Sequence, residues 1–234
     1  MCEEYCRRLS SLLEIDKSLA PLGVYVAYTV TWSEVGGGTG LDLNAEVGGL
    51  IRYIRSTYTL EGLKDVPVFR AYRNFFWRIG VDPTKVRPSS EAIVRRCLRG
   101  SFPRIGLVVD VGNIASAYIG VPIGLYDMDR SSPPYILTLT SGGEVFRPIG
   151  GGEEVLPAGV PVLKDSSGRV LHIYPHRDSV ETAITERTTK VFVLGAGVPG
   201  VERDRVSEAV RRVAELLSRA GWRWCGDVFV KEPT

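Results

Sequence analysis

The chain is poor in the residues that carry most hydrolytic and redox chemistry. Among 234 residues there are two histidines, two methionines and four cysteines, and no two cysteines form a Cys-x-x-Cys pair. Cys2, Cys6, Cys97 and Cys225 are therefore expected as buried thiols, with Cys2 and Cys6 on one face of an amphipathic N-terminal helix. A disulfide framework belongs to smaller, cysteine-denser secreted chains. No Gly-x-Ser-x-Gly elbow occurs, so a Ser/His/Asp triad would have to recruit His172 or His176 without the usual nucleophile turn. Those two stand four apart, a metal-binding spacing on a helix, but Pro175 and the strand-rich surroundings defeat that geometry. They are expected as structural or surface histidines, and no metal is expected. No apolar run approaches the length of a membrane span. The first residues carry acids where a targeting peptide would not, so a cytoplasmic protein with no membrane partner is expected.

Glycine is abundant, with 26 residues, but its clusters lack phosphate chemistry. Gly36 to Gly40 has no Gly-Lys-Ser/Thr ending and reads as a flexible loop. Gly150, Gly151 and Gly152 read as a hairpin connection. Gly195-Ala196-Gly197-Val198-Pro199-Gly200 follows a strand and precedes a helix, as a dinucleotide fingerprint does. That fingerprint needs an acid at the end of the next strand and further parallel strands beyond, and only Glu232 remains before Thr234. No nucleotide or other cofactor is expected.

The net charge is only +2, yet it is unevenly placed. Between 70 and 104 lie Arg70, Arg73, Arg78, Lys85, Arg87, Arg95, Arg96, Arg99 and Arg104 against only Asp82 and Glu91, which leaves the remainder acidic. Clustered arginine suits a polyanion, because guanidinium binds phosphate in bidentate fashion and binding releases counterions. The competing reading is the solvated face of a helix whose other side carries Ala92, Ile93, Cys97 and Leu98.

Periodicity predicts a helix over 4–13, a strand over 24–32, a helix over 41–58 and a short helix over 71–79. Another runs from Ser89, as cap, to Leu98, where Gly100 stops it. Leu107 to Val111 reads as a buried strand and Asn113 to Ile119 as a separate helix. Strands follow at 136–139, 144–149, 160–164, 170–174 and 191–194, then a helix over 201–220 and an edge strand at 227–230. Helices gather in the first half and strands in the second, which predicts one α+β domain over residues 1–234, with a mixed β-sheet and flanking helices.

Polar residues crowd the ends of these elements between Asp82 and Asp129, notably Arg87, Ser89, Ser90, Glu91, Asp110, Asn113, Tyr126 and Asp127. The ordered pieces there are Asp82-Pro83-Thr84-Lys85, Arg87-Pro88-Ser89-Ser90-Glu91-Ala92, Val109-Asp110-Val111-Gly112-Asn113 and Gly120-Val121-Pro122-Ile123-Gly124-Leu125-Tyr126-Asp127. Gly143-Glu144 and Ile184-Thr185-Glu186-Arg187-Thr188 complete the series. Over about 69–195 the chain resembles a stand-alone member of the B3/B4 domain family, named for the editing region of the phenylalanyl-tRNA synthetase beta subunit.

The resemblance implies an α+β fold and the hydrolysis of tyrosine wrongly esterified to phenylalanine tRNA. It implies tRNA or aminoacyl-tRNA as partner, but no aminoacylation. Substrate contacts are expected from Ser89, Ser90, Glu91, Asp110, Asn113, Gly124, Tyr126, Asp127, Glu144 and Glu181, and RNA contacts from Lys85, Arg87, Arg95, Arg96 and Arg99. Bacterial synthetases usually carry a histidine where this chain has Gly124, so no general base is carried over and the catalytic residues are unassigned. Two functions stay open: an editing-like deacylase acting in trans, and a non-catalytic module that binds an amino acid or a tRNA end.

Overall fold

In the computed structural model, which describes residues 2–35 and 41–233, the chain begins with α1 (Cys2–Arg7), a 3-10 turn, and β1 (Leu13–Ile15). The expected N-terminal helix is thus cut short, because Leu13 and Ile15 pair in parallel with Tyr135 and Leu137. Strand pairing satisfies their backbone groups better than one more exposed helical turn would. The glycine loop Gly36 to Gly40 lies outside the described residues.

Next come β2 (Tyr25–Trp32), α2 (Asn44–Thr57), α3 (Pro67–Arg78), α4 (Ser89–Leu98) and α5 (Leu107–Ile119). In α3, Pro67 sets the first-turn dihedral, and Phe69, Tyr72, Phe75 and Phe76 bury one face at helical spacing. In α4 the cap position is Pro88, with no side-chain cap hydrogen bond. Ser89 and Ser90 stand inside the first turn rather than capping it.

The expected strand at Leu107 to Val111 is instead the first turn and a half of α5, continuous with the helix expected from Asn113. Val108, Val111, Ile114, Ala115 and Ala117 are all buried, since α5 packs against α2, α4, α6 and β3. A helix buried all round shows the same unbroken apolar run as a buried strand. Gly112 permits the packing: a Cβ there would lie 2.7 Å from Leu125 Cδ1.

The second half supplies β3 (Ile123–Asp127), β4 (Tyr135–Leu139), β5 (Glu144–Phe146), β6 (Glu154–Leu156), β7 (Pro161–Lys164), β8 (Val170–Ile173), β9 (Arg177–Asp178) and β10 (Lys190–Gly197). After them follow α6 (Arg203–Ser218), β11 (Arg223–Trp224) and β12 (Phe229–Lys231). One sheet has the order β1-β4-β7-β8-β9 and is mixed, only β1 and β4 being parallel. A second, antiparallel sheet runs β11-β2-β10-β3, with β12 also on β2. β5 and β6 form a hairpin across the Gly150 to Gly152 connection. The fold is the expected α+β class with a mixed sheet and flanking helices.

Aromatic rings fill the space between the two large sheets, with Phe192 of β10 against Tyr135 of β4 at 4.6 Å and Tyr126 of β3 against His172 of β8 at 5.9 Å. The opposite face of the antiparallel sheet carries α6. Gly195 and Gly197, the core of the fingerprint-like run, serve this packing. A Cβ at Gly195 would lie 2.9 Å from Val206 and Val210 of α6, and one at Gly197 would collide with the Tyr25 ring. β10 is antiparallel to both neighbours, so no parallel crossover builds a dinucleotide crevice there.

Cys6 and Cys225 correct the expectation of buried thiols, which Cys97 meets. Cys6 and Cys225 form a disulfide, with Cα atoms 5.0 Å apart across a separation of 219 residues. Tertiary pairing causes it: α1 packs against β2, and β11 and β12 on either side of Cys225 pair with that same strand. Cys97 is free and buried, and burial pushes its thiol up to about 11.

Candidate active site

A cavity of about 180 Å³ lies beside β3, the last strand of its sheet. Ser89 and Ile93 of α4 and Val109, Gly112, Asn113 and Ser116 of α5 form one wall. Pro122 to Leu125, with Leu194 and Ala196 of β10, form another. The segment from His172 to Ile184 closes the third side through His172, Pro175, His176, Asp178, Ala183 and Ile184. An open groove of about 580 Å³, lined by Ile105 to Val109 and Ile184 to Glu186, adjoins it through the shared Val109 and Ile184.

The walls are largely apolar except at one corner. There Asp178 Oδ1 stands 2.8 Å from His172 Nδ1, although the pair is not aligned as a hydrogen bond. The Tyr126 hydroxyl faces the same carboxylate. Burial first, and the Asp178 charge second, hold that phenol well above its ordinary pKa. His176, beside the Phe76 ring at 5.4 Å, is lowered to about 4, mainly by burial and then by the charges of His172 and Arg177. Tyr126 Oη, His172 Nδ1, His176 Nδ1 and Asp178 Oδ1 all lack a hydrogen-bond partner. Folded proteins leave few buried polar atoms in that state, so these four set the corner apart from the rest of the wall.

Both histidines, expected as structural or surface groups, therefore stand in the cavity wall. Neither they nor Asp178 were among the expected site residues. The available signal was their concentration: the only two histidines of the chain and an aspartate fall within seven residues, from His172 to Asp178. No group of three or more His, Cys, Asp or Glu side chains placed to hold a metal occurs among the described residues.

Of the expected substrate contacts, Ser89, Asn113 and Gly124 line the cavity, and the others are held elsewhere. Glu91 is fully buried, and its carboxylate takes a bidentate pair of hydrogen bonds from Arg73 at 2.7 and 2.6 Å and a third from Arg95 at 2.7 Å. Ser90 is buried beside it in the first turn of α4. Asp110 accepts from the backbone of Ile105 and Gly106 and from Arg104 Nε, which fastens the start of α5. Asp127 takes the Thr188 hydroxyl at 2.6 Å, joining β3 to the loop before β10. Lys164 holds the Glu144 carboxyl down to about 2, and Glu181 pairs with Arg147. Tyr126 lies just behind the wall, its ring over Gly124.

The expected RNA contacts divide in the same way. Arg95 is committed to Glu91. Lys85, Arg87, Arg96 and Arg99 are exposed. Lys85 and Arg87 precede α4, Arg96 is in its last turn and Arg99 caps its C-terminal end, while its first residue, Ser89, is at the cavity.

The model of the B3/4 domain family matches residues 71–221. Among solved structures, an N-terminal fragment of the phenylalanyl-tRNA synthetase beta-subunit from Pyrococcus horikoshii is similar at 19% identity and a TM-score of 0.49, over 91% of this chain and 49% of that one. The chain spans about half the length of that fragment. No curated protein matches the chain. Among the described residues, no helix is long and apolar enough to cross a membrane.

Proposed function

The chain belongs to the B3/4 domain family, and on that footing we propose that it is a tRNA-binding, editing-like protein that hydrolyses a mischarged aminoacyl-tRNA in trans. The observation that carries this reading is an apolar cavity of about 180 Å³ with a corner of imidazole and carboxylate groups. A dry cavity of about 150 Å³ accepts a benzene ring, so this one has room for an aromatic side chain. His176, whose Nδ1 is unpartnered in the cavity wall, would bond the hydroxyl of a tyrosyl group. A phenylalanyl group would leave that buried nitrogen unpaired, a penalty that gives strong discrimination.

The adjoining groove, which shares Val109 and Ile184 with the cavity, would offer space for the terminal ribose and base. Ser89, the first residue of α4, lines the cavity, and the first-turn amides of that helix would be donors for an ester oxyanion. Lys85, Arg87, Arg96 and Arg99 would hold the phosphates of the acceptor end by charge.

Purified protein incubated with a panel of aminoacyl-tRNAs tests the reading. Release of tyrosine from tyrosyl-tRNA faster than in buffer, with slower release of phenylalanine from phenylalanyl-tRNA, is expected. No acceleration across the panel would sink it. Gly124, which has no side chain of its own to offer the cavity, favours a second reading, non-catalytic binding of an amino acid or tRNA end. Thermal stabilisation by such a ligand without ester hydrolysis would select that one.

A further inference from the structure

We propose that His172 is the general base of this site and that Asp178 is its positioning partner, supplying from β8 and β9 what position 124 of β3 does not. The inference rests on the proposed ester hydrolysis. Asp178 Oδ1 is 2.8 Å from His172 Nδ1, and a carboxylate beside one ring nitrogen keeps the proton there and leaves the other nitrogen as a lone-pair acceptor. Nε2 has no hydrogen-bond partner among the described residues, and the ring lines the cavity. Imperfect alignment of a catalytic pair in the unliganded protein is ordinary, since such contacts tighten around substrate.

The neighbours of His172 suit the role. Tyr126 of β3 faces it at 5.9 Å and Tyr174, just beyond β8, at 6.1 Å. Burial keeps both phenols protonated, so neither competes as a base. His176 stays neutral near pH 7. Arg177 and Asp178 of β9 are the charged groups around the pair of imidazoles.

In the step inferred, a water oxygen bonds to the acyl carbon while its proton passes to His172 Nε2, and the carbonyl electron pair moves onto oxygen. That pair returns as the bond to the ribose oxygen breaks. The imidazolium then gives its proton to the ribose oxygen, leaving a free amino acid and an intact tRNA terminus. No cofactor or oxidant is needed.

The experiment is single-turnover hydrolysis of tyrosyl-tRNA, and of the rest of the panel, by wild type, His172→Ala, His172→Asn and Asp178→Asn, each checked for folding by thermal melting. General-base loss predicts a rate about 100-fold lower for both His172 variants, with KM nearly unchanged and added imidazole restoring rate to His172→Ala. Asp178→Asn should displace the acid limb of the pH–rate profile. That half-exposed position tolerates change even if the buried His172 variants fail to fold. Hydrolysis that survives His172 replacement, or a change in KM alone, overturns the base and leaves the deacylase reading standing. So does an unmoved profile in Asp178→Asn. No hydrolysis by wild type over the whole panel overturns both.

Discussion

Tyr126 occupies the space that a side chain at position 124 would need. The two residues point to the same face of β3, and a Cβ built at Gly124 would lie 2.6 Å from Tyr126 Cζ, inside the contact limit of any carbon pair. The glycine is thus a packing requirement of the buried tyrosine. Gly124→Ala is expected to lower stability by about 1–3 kcal/mol, as overpacking does. Gly106→Ala, where nothing lies within 4 Å of the new methyl, should stay within about 0.5 kcal/mol of wild type. Urea denaturation of the two variants checks the contrast, and equal midpoints would contradict it.

Glu91 joins α3 to α4 through Arg73 and Arg95. Burial, the largest single influence, raises its pKa. The hydrogen bonds and charges of the two guanidiniums together outweigh burial and leave the carboxyl below its ordinary value. A depressed folded-state pKa stabilises fully above the ordinary carboxylate range, and that stability is lost as pH falls through the folded value. Glu91→Gln should cost about 3–5 kcal/mol at pH 7, because it strands two guanidiniums. The variant should also lose this part of the acid sensitivity. Chemical melts at pH 7 and in the acid range measure both.

His176 contributes to acid sensitivity at higher pH. Its pKa falls from 6.5 to about 4 on folding, so between those values the unfolded chain binds the extra proton. Stability present above pH 6.5 is therefore lost progressively down to about pH 4, by about 3 kcal/mol in all. His176→Gln should flatten this segment of the stability profile. A profile unchanged from wild type would place the imidazole in water rather than in the cavity wall.

The Cys6 to Cys225 bridge closes nearly the whole chain into a loop. Cys225→Ser should lower stability by about 2–4 kcal/mol, and reductant should shift the wild-type melt but not that of the variant. Peptide mapping under non-reducing conditions should recover Cys6 linked to Cys225, with Cys97 resistant to alkylation until the protein unfolds.

Salt titrations of tRNA binding separate contact from scaffold in the basic block. Replacing Lys85, Arg87 and Arg96 by alanine should weaken binding and flatten the slope of log affinity against log salt by about one unit per lost phosphate contact. Arg95→Ala should instead destabilise the protein through Glu91, with a smaller effect on the slope. The same slope in the triple variant and wild type would return this face to ordinary solvated surface.

Much of the architecture was legible in the chain because short-range rules govern it. The greater part of α3, the stop at Gly100, the glycine hairpin and the amphipathic α6 all follow from spacing and turn chemistry. Where burial is complete, the pattern loses its meaning. Leu107 to Val111 lacks any polar face, so periodicity could not separate helix from strand. In the cavity wall, Ser89, Asn113 and Gly124 belong to the ordered series of sequence pieces, whereas local geometry argues against the histidines. Local geometry says only that Pro175 forbids a helix. It cannot say that the turn between β8 and β9 would fold back over α5.

By itself the sequence determined the class of the fold, the location of its turns and the family to which it belongs, since each depends on patterns within a few tens of residues. Tertiary structure alone decided which polar groups share a cavity, that Glu91 and Arg95 form scaffold rather than surface, and that Cys6 meets Cys225. Those relations arise when sheets pack across aromatic rings and distant segments share a strand. Close packing, unlike local preference, is a property of surfaces that do not exist until the chain has folded.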